Sequence, residues 1–365
     1  MALPTTTREY RLPKTDGIHN LTLTEAALPP LKSSEVLVKV HAVSLQYRDI
    51  VVAKGLYPLG MKDNVVPGSD LAGEIIAVGT EVHGWSVGDR VCSNFCTDHI
   101  YGNTTEEIKL TALGAPIDGV LTEYKVLPAH ALVKIPSHLN YEEASTLPFV
   151  SCIFDFGNNR KASLSHRCAA VTAYNALMGP IPLKAGDTVL VQGTGGVSIF
   201  GLQFAVASGA TVIATSSSDR KLEVAAGLGA KHLINYNKTP DWEQEVMKIT
   251  DGRGVDHVIE VGGPGTMLKS VQCTRFAGCI NDIGFVAGAG DVNSLPGLIL
   301  GRAVIFRGIL IGSRTQFEDM NRLIVENGLK PVIDKVFAFE DTLAAYQYLE
   351  SQQHVGKVVV RVSKD

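Results

Sequence analysis

The residues best placed to do chemistry are Val189-Leu190-Val191-Gln192-Gly193-Thr194-Gly195-Gly196-Val197-Ser198, where an apolar run meets a glycine turn and then a helical pattern. Glycines at such a turn let a pyrophosphate approach the backbone, and the free N–H groups of the helix start take up its negative charge. Ser198 stands where a G-x-G-x-x-G pattern has its third glycine. The reading therefore rests on setting: a strand before, a helix after, and a second strand ending about 20 residues on. The alternative is an ordinary glycine-rich turn. That second strand runs into Thr215-Ser216-Ser217-Ser218-Asp219-Arg220-Lys221. A site for NAD would place a carboxylate there to hold the ribose 2′-hydroxyl. Serine hydroxyls followed by cations instead suit a 2′-phosphate, with the hydroxyls donating hydrogen bonds and Lys221 or Arg220 supplying charge. NADP(H) is the expected coenzyme, with Asp219 pointing away. On the competing view, Ser216 to Ser218 cap the next helix and the two cations are solvated.

These residues need elements to position them. The chain has 365 residues, 45% hydrophobic and 19% charged, which predicts two domains and excludes a mainly disordered state. Its net charge of −4 is scattered, leaving no basic stripe for nucleic acid. Met1 to Tyr10 has no apolar signal core, and no stretch of about 20 residues is continuously apolar. A soluble cytoplasmic protein without a membrane partner is expected. Cysteines 92, 96, 152, 168, 273 and 279 are then read as free thiols. Up to about residue 147 the sequence predicts short strands, among them Glu35 to Val43, Ala72 to Val78 and Gly119 to Leu127, between proline and glycine turns. From Asp187 onward, apolar strands at 188–192, 211–215, 232–235, 255–261 and 277–283 alternate with helical patterns at 196–208, 220–228 and 242–250. That alternation predicts a doubly wound parallel sheet. A helical pattern at Asp341 to Leu349 and a β-branched run at Lys357 to Val362 are expected to rejoin the first domain.

Eight segments in this order carry a resemblance: SLQYRD (44–49), VPGSDLAGEI (66–75), VGDRV (87–91), AAVTAYNAL (169–177), VLVQGTGGVS, ATSSSDRKL, GRGVDHVIEVGGPGT (252–266) and HVGKVVV (354–360). Together they resemble the medium-chain dehydrogenase/reductase superfamily, in particular its zinc-free, quinone-reductase-like members, often labelled zinc-type alcohol dehydrogenase-like. The resemblance covers nearly the whole chain apart from 149–167. It implies an α/β protein, with a GroES-like, mostly β catalytic domain from residues 1–148 and 328–365. A Rossmann NADP(H)-binding domain spans 168–327, with 149–167 as an atypical insertion. By the same resemblance Gly195, Gly196 and Val197 match the pyrophosphate turn, Ser217, Ser218 and Lys221 the 2′-phosphate pocket, and Tyr236 a tyrosine beside that phosphate. Thr172 falls where a threonine approaches the nicotinamide end. Val261, Gly262, Gly284, Phe285 and Lys357 match segments that line the coenzyme. Tyr236 as a half-buried surface aromatic and Lys357 as an edge-strand charge are the plainer alternatives.

Zinc-dependent relatives need a thiolate, an imidazole and a further ligand around one metal. Gln46 occupies the cysteine position here, and Gly68-Ser69-Asp70 replaces the Gly-His-Glu stretch. The structural zinc lobe needs four closely spaced cysteines, and only Cys92 and Cys96 occur, with Asp98 and His99 nearby. No zinc is expected. Reduction of a plain carbonyl leaves a localised alkoxide that a Lewis acid would stabilise by several kcal/mol. Without a metal, the favoured acceptors are those that delocalise the charge, quinones and α,β-unsaturated carbonyls, for which one hydrogen-bond donor can suffice. Tyr47, in the motif that faces the coenzyme in related proteins, is the candidate donor and catalytic residue, with packing of the pocket wall as the competing role. Arg48 and Asp49 read as a local ion pair that fixes this loop.

The sequence thus predicts an NADPH-dependent reductase of a small conjugated carbonyl or quinone. A metal-free alcohol dehydrogenase and a coenzyme-binding protein without turnover are the rivals. A homodimer is implied by the resemblance, and Ala303 to Ile311 is an apolar run suited to a sheet edge. Relatives join the Leu-Pro pair directly to the Cys-Ala-Ala helix. Residues 149–167 are then either a surface loop that modifies the pocket or an untranslated segment kept in the gene model. The second is favoured because nothing in the segment resembles a site. A tryptic peptide joining Pro148 to Cys168 would establish it.

Overall fold

Short β-branched runs broken by proline and glycine build the first part of the chain strand by strand. The computed structural model describes residues 2–57, 60–148, 170–284, 290 and 292–363. The chain forms two units, residues 1–150 with 311–365 and residues 151–310. In the first, β1 (Thr6–Arg11) and β2 (Thr22–Ala27) make an antiparallel pair. They are followed by β3 (Glu35–Leu45), α1 (Tyr47–Ala53), β4 (Asp70–Val78), β5 (Arg90–Ser93), α2 (Glu106–Lys109), β6 (Tyr124–Pro128), β7 (Leu132–Lys134) and α3 (Tyr141–Ala144).

In the second unit strands and helices alternate: α4 (Ala170–Met178), β8 (Thr188–Gln192), α5 (Gly196–Ala207), β9 (Thr211–Ser216), α6 (Asp219–Gly227), β10 (His232–Asn235) and α7 (Trp242–Ile249). They continue with β11 (Val255–Glu260), α8 (Met267–Cys273), β12 (Thr274–Asp282), α9 (Leu295–Arg302) and β13 (Ile305–Gly308). The chain then returns to the first unit through α10 (Arg314–Glu326), β14 (Ile333–Ala338), α11 (Thr342–Glu350) and β15 (Lys357–Arg361).

The second unit is one parallel sheet in the order β10-β9-β8-β11-β12-β13. This is the doubly wound order, in which the chain reverses direction beside β8 and leaves a crevice at the strands' C-terminal ends. Strands covered on both faces must be apolar throughout. Val189, Leu190, Val191, Val212, Ile213, Val258, Ile259 and Ile280 are accordingly all buried. Among the described residues no helix is long and apolar enough to cross a membrane.

The larger sheet of the first unit centres on β3, with β4 on one side. Its other side is shared by β6, opposite residues 35–39, and by the C-terminal β15, opposite residues 42–45. The expected strand from Gly119 forms only from Tyr124. Residues 119–121 instead bond the segment 66–68, through Gly119 N to Val66 O and Val120 N to Gly68 O. Gly119 is required there, because a Cβ would lie 2.0 Å from the Gly68 oxygen. The return to the first unit also comes earlier than residue 328. Arg314 N donates to His99 O, and Asn321 Nδ2 to Lys134 O, so α10 belongs to the β unit.

Candidate coenzyme and active site

The glycine turn sits at the C-terminal end of β8. Gly193 adopts φ +71°, a conformation that favours glycine, and its N–H donates to Thr215 O at the end of β9. Gly195 is the N-cap of α5 and offers no side chain to satisfy the first amides of the helix, which leaves them for an anion. Gly196 and Val197 open that helix, both buried. The missing third glycine is compensated twice. The Ser198 hydroxyl donates to Gln192 O at 2.6 Å, tying the helix start to the strand. Gly201, one turn on, has no Cβ to crowd Ile259, which would lie 3.3 Å from it. That close approach of helix to sheet is the third glycine's usual task.

At the end of β9, Ser217 is exposed and Ser218 half-buried. Ser218 is the N-cap of α6 but makes no side-chain cap bond. The Asp219 carboxylate is engaged by Asn235 Nδ2 at 2.7 Å and Lys238 Nζ at 2.5 Å. These donors draw its pKa below the ordinary value, so it is charged and directed at the end of β10. Lys221 lies in the first turn of α6 and is half-buried. A cavity of about 440 Å³ brings Tyr236, Val261 and Gly262 together with Gln192, Gly193 and Thr215. Ser217, Ser218 and Lys221 are not in its wall.

Bonded to the lining residues Gln192, Gly262 and Thr266 is Glu260, which falls within the 252–266 segment but is not among the predicted site residues. The Glu260 carboxylate ends β11, fully buried, and accepts hydrogen bonds from Gly262 N (2.7 Å), Gly263 N (2.9 Å), Thr266 Oγ1 (2.6 Å), Gln192 Nε2 (2.7 Å) and Ser270 Oγ. Burial pushes its pKa up, against the pull of those donors. Asp282, at the end of β12, is pushed up to about 7, first by burial and then by the Glu260 charge. An acidic residue at the C-terminal end of a strand was the available signal for both. Thr172, on α4, is fully buried, and its hydroxyl has no hydrogen-bond partner among the described residues. Gly284 is buried just beyond β12, and Phe285 lies outside the described residues. An unpartnered buried hydroxyl, an uncapped helix start and a glycine-walled cavity together fit a dinucleotide.

The first unit holds the second constellation. Helix α1 is buried along its whole length and begins at Tyr47, itself 6% exposed. Asp49 Oδ2 accepts from Gln46 N at 2.8 Å, fixing the helix entry. The Arg48 guanidinium is enclosed between the rings of Tyr57 and Phe95, 4.5 and 4.9 Å from their centroids, and lies 3.9 Å from Asp49 Oδ1. Burial raises the Asp49 pKa and the Arg48 charge opposes it.

Asp70, first residue of β4, is fully buried and accepts from Gln46 Nε2 and from Ser69 Oγ (2.7 Å). Burial pushes it up to about 7, although the Lys357 charge and both donors pull it down. Lys357 does not lie at a sheet edge as a solvated charge. It is 3% exposed in β15, between β14 and β3, and donates to Leu45 O at 3.1 Å.

The positions that carry metal ligands in the resemblance therefore hold a hydrogen-bonded Gln46–Asp70–Ser69 group beside an ammonium. Cys92, Cys96, Asp98 and His99 do not converge. Cys92 Sγ donates to Ala144 O, Asp98 pairs with His130 at 2.8 Å, and the His99 ring meets Gly102 O at 3.0 Å. Burial pushes the Cys96 thiol up to about 12. Among the described residues no group of three or more His, Cys, Asp or Glu side chains is arranged to hold a metal ion. The insertion at 149–167 lies outside the described residues.

Comparison with known proteins agrees with this architecture. Residues 32–137 match the alcohol dehydrogenase GroES-like domain, and residues 196–326 match the zinc-binding dehydrogenase family. A zinc-type alcohol dehydrogenase-like protein of Schizosaccharomyces pombe is 48% identical over 337 residues, covering 91% of this chain and 92% of the relative. An acryloyl-coenzyme A reductase of Metallosphaera sedula is 28% identical over 339 residues, covering 91% and 93%. The crystal structure of a putative alcohol dehydrogenase from Sinorhizobium meliloti superposes with a TM-score of 0.86 at 36% identity, covering 99% of this chain and all of that one. With a doubly wound unit whose strand β8 runs into a glycine turn and a β unit closed by both chain ends, the chain belongs to the medium-chain dehydrogenase/reductase superfamily of oxidoreductases.

Proposed function

We propose that this oxidoreductase reduces a quinone or an α,β-unsaturated carbonyl with NADPH and without a metal. One observation carries the reading. At the ligand positions of zinc-dependent relatives, Gln46 and Ser69 both donate hydrogen bonds to Asp70, and neither an amide nor a hydroxyl is a good zinc ligand. A conjugated acceptor spreads the charge that a Lewis acid would otherwise hold. The acryloyl-coenzyme A reductase among the relatives is named for such an acceptor.

Gly195, Gly196 and Val197 would hold the pyrophosphate, Thr172 the nicotinamide end, and Ser217, Ser218 and Lys221 the 2′-phosphate. Tyr236, Val261, Gly262, Gly284, Phe285 and Lys357 would line the coenzyme. When bound, the reduced nicotinamide supplies the hydride. The phosphate reading is supported by Asp219, whose charge is committed to Lys238 and Asn235. The Tyr47 phenol is a hydrogen-bond donor that can donate to an acceptor oxygen and protonate the anion formed there. Gln46 and Asp49 hold the entry of its helix, and the buried walls around it exclude water.

A homodimer is supported by β13. It ends the parallel sheet, and Ile305 together with Leu300 of the preceding helix is exposed there. A cytoplasmic location is supported by Cys92, Cys96, Cys273 and Cys279, all free thiols.

The test is turnover of NADPH with a quinone, an enone and an aldehyde, before and after dialysis against a chelator. The expected result is turnover of the two conjugated acceptors, unchanged by chelation. Activity on the aldehyde alone would favour the alcohol dehydrogenase reading that the 48% identical relative's name suggests. Tight NADPH binding with no turnover would favour a coenzyme-binding role.

A further inference from the structure

We propose that Gln192 and Glu260 are positioning residues for the coenzyme, a side-chain clamp that sets the spacing between the two glycine turns expected to hold it. The clamp rests on the coenzyme-binding reading and adds residues outside the predicted contact set.

Gln192 is the last residue of β8, directly before the Gly193 turn, and Glu260 is the last of β11, directly before the Val261–Gly265 turn. The two strands are neighbours in the sheet. The Gln192 amide is used at both ends. Its Nε2 donates to Glu260 Oε2 at 2.7 Å and to Ser270 Oγ at 2.8 Å, and its Oε1 accepts from Val261 N at 3.3 Å and Gly262 N at 3.2 Å. Glu260 Oε1 accepts from the next two amides, Gly262 N and Gly263 N, and from Thr266 Oγ1. One side chain from each strand thus binds the main chain of the turn after β11.

The glycines make this possible. Gly263 takes φ +71°, and a Cβ on Gly262 would fall 2.1 Å from Thr266 Oγ1, where the threonine reaches across to the acid. On its other side Gly193 is fixed to β9 by its own N–H to Thr215 O. Gln192, Gly193, Gly262 and Thr266 all line the 440 Å³ cavity, so a shift of either turn changes its width.

A buried carboxylate with five donors is expensive to disturb, because the donors it releases lose their charged acceptor away from water. If packing alone were needed, an apolar residue would serve at position 260, as it does earlier in the strand. A charged acceptor is needed where successive amides of a turn must point the same way.

The chemistry suggests an exchange experiment. In E260Q the amide would point its own donor at the donors of Gln192 and Ser270. In Q192E alone two carboxylates would face each other. The double variant Q192E/E260Q restores one carboxylate and one amide, with Oε1 still present on both residues for the turn amides. The full-length protein and the three variants are titrated with NADPH by calorimetry, with steady-state kinetics and thermal melting in parallel. The expected result is about tenfold or weaker NADPH binding in each single variant. KM for NADPH should rise more than kcat falls, and most of the affinity should return in the double variant. S270A, which removes one donor and leaves the acid in place, serves where a single variant does not fold, and should bind NADPH a few-fold more weakly.

An E260Q or S270A protein that melts lower but binds NADPH as tightly as wild type would overturn the clamp. So would a double variant no better than its parents. Wild-type protein that binds neither NADPH nor NADH would overturn the coenzyme reading, and the clamp with it. Wild-type binding with unaffected variants overturns the clamp alone.

Discussion

Glu260 in the coenzyme unit and Asp70 in the β unit are both fully buried carboxylates beside predicted site residues, and they are held in opposite ways. Glu260 is surrounded by donors, among them successive backbone amides, so its role is to fix the course of the main chain. Asp70 has two side-chain donors and shares its surroundings with Lys357 and Asp49, so its charge state depends on a balance. The first arrangement builds a rigid receptor. The second builds an electrostatic environment around α1 that responds to pH.

Filling the helix start with charge should break the comparison most severely. Gly195 has φ −78° and ψ −179°, which an aspartate adopts readily, and aspartate is a favoured N-cap. G195D is expected to change stability by only about a few tenths of a kcal/mol, the margin by which a good N-cap exceeds glycine. It should lose NADPH binding by about a hundredfold or more, because a carboxylate takes the anion's place. Calorimetry and melting on one sample check both halves. Loss of both together would show that the turn is only structural.

Next in size is the side-chain half. Y47F should lower kcat by about tenfold to a hundredfold on an enone while leaving the Kd for NADPH unchanged, solvent supplying the proton more slowly. An unaltered kcat would reduce Tyr47 to a wall of the pocket.

The pH response of Asp70 is a smaller effect with a definite sign. Its ordinary pKa of 3.8 rises to about 7 in the fold, so between those values the folded chain holds a proton that the unfolded chain has lost. Stability from this group is therefore lost as pH rises from about 4 to 7. Asparagine does not titrate, so the Tm of D70N minus that of wild type should increase from pH 4 to pH 8. A flat difference would mean that Lys357 holds Asp70 ionised throughout. The smallest effect is expected at the exposed Lys238–Asp219 pair. K238M should weaken NADPH binding about two- to threefold at low salt and leave NADH binding unchanged, the difference vanishing at high salt.

The coenzyme unit was the more legible of the two in sequence. The expected strands at 188–192 and 232–235 coincide with those found, and the other boundaries shift by a few residues. A strand buried on both faces must read as a continuous apolar run, and a phosphate turn must contain glycine, whatever surrounds it. The β unit was less legible. The run from Gly119 has the composition of a strand, but its first residues are drawn to the 66–68 segment, and α10 carries nothing in its pattern to say which unit it packs on.

By itself the sequence determined the features that local rules dictate: apolar periodicity, glycine where backbone must approach an anion, and a motif order specific to one superfamily. It also contained the departures, Gln46, Ser69 and Asp70 at the ligand positions and Ser198 for the third glycine. Only the tertiary structure decided what those departures do. Ser198 bonds Gln192 O while Gly201 takes over the close contact with Ile259. Asp70 acquires Lys357 as a neighbour from the far end of the chain, and Gln192 finds Glu260 across a strand pair. Side-chain hydrogen bonds and charge interactions between residues distant in sequence have no periodicity, so no local pattern announces them.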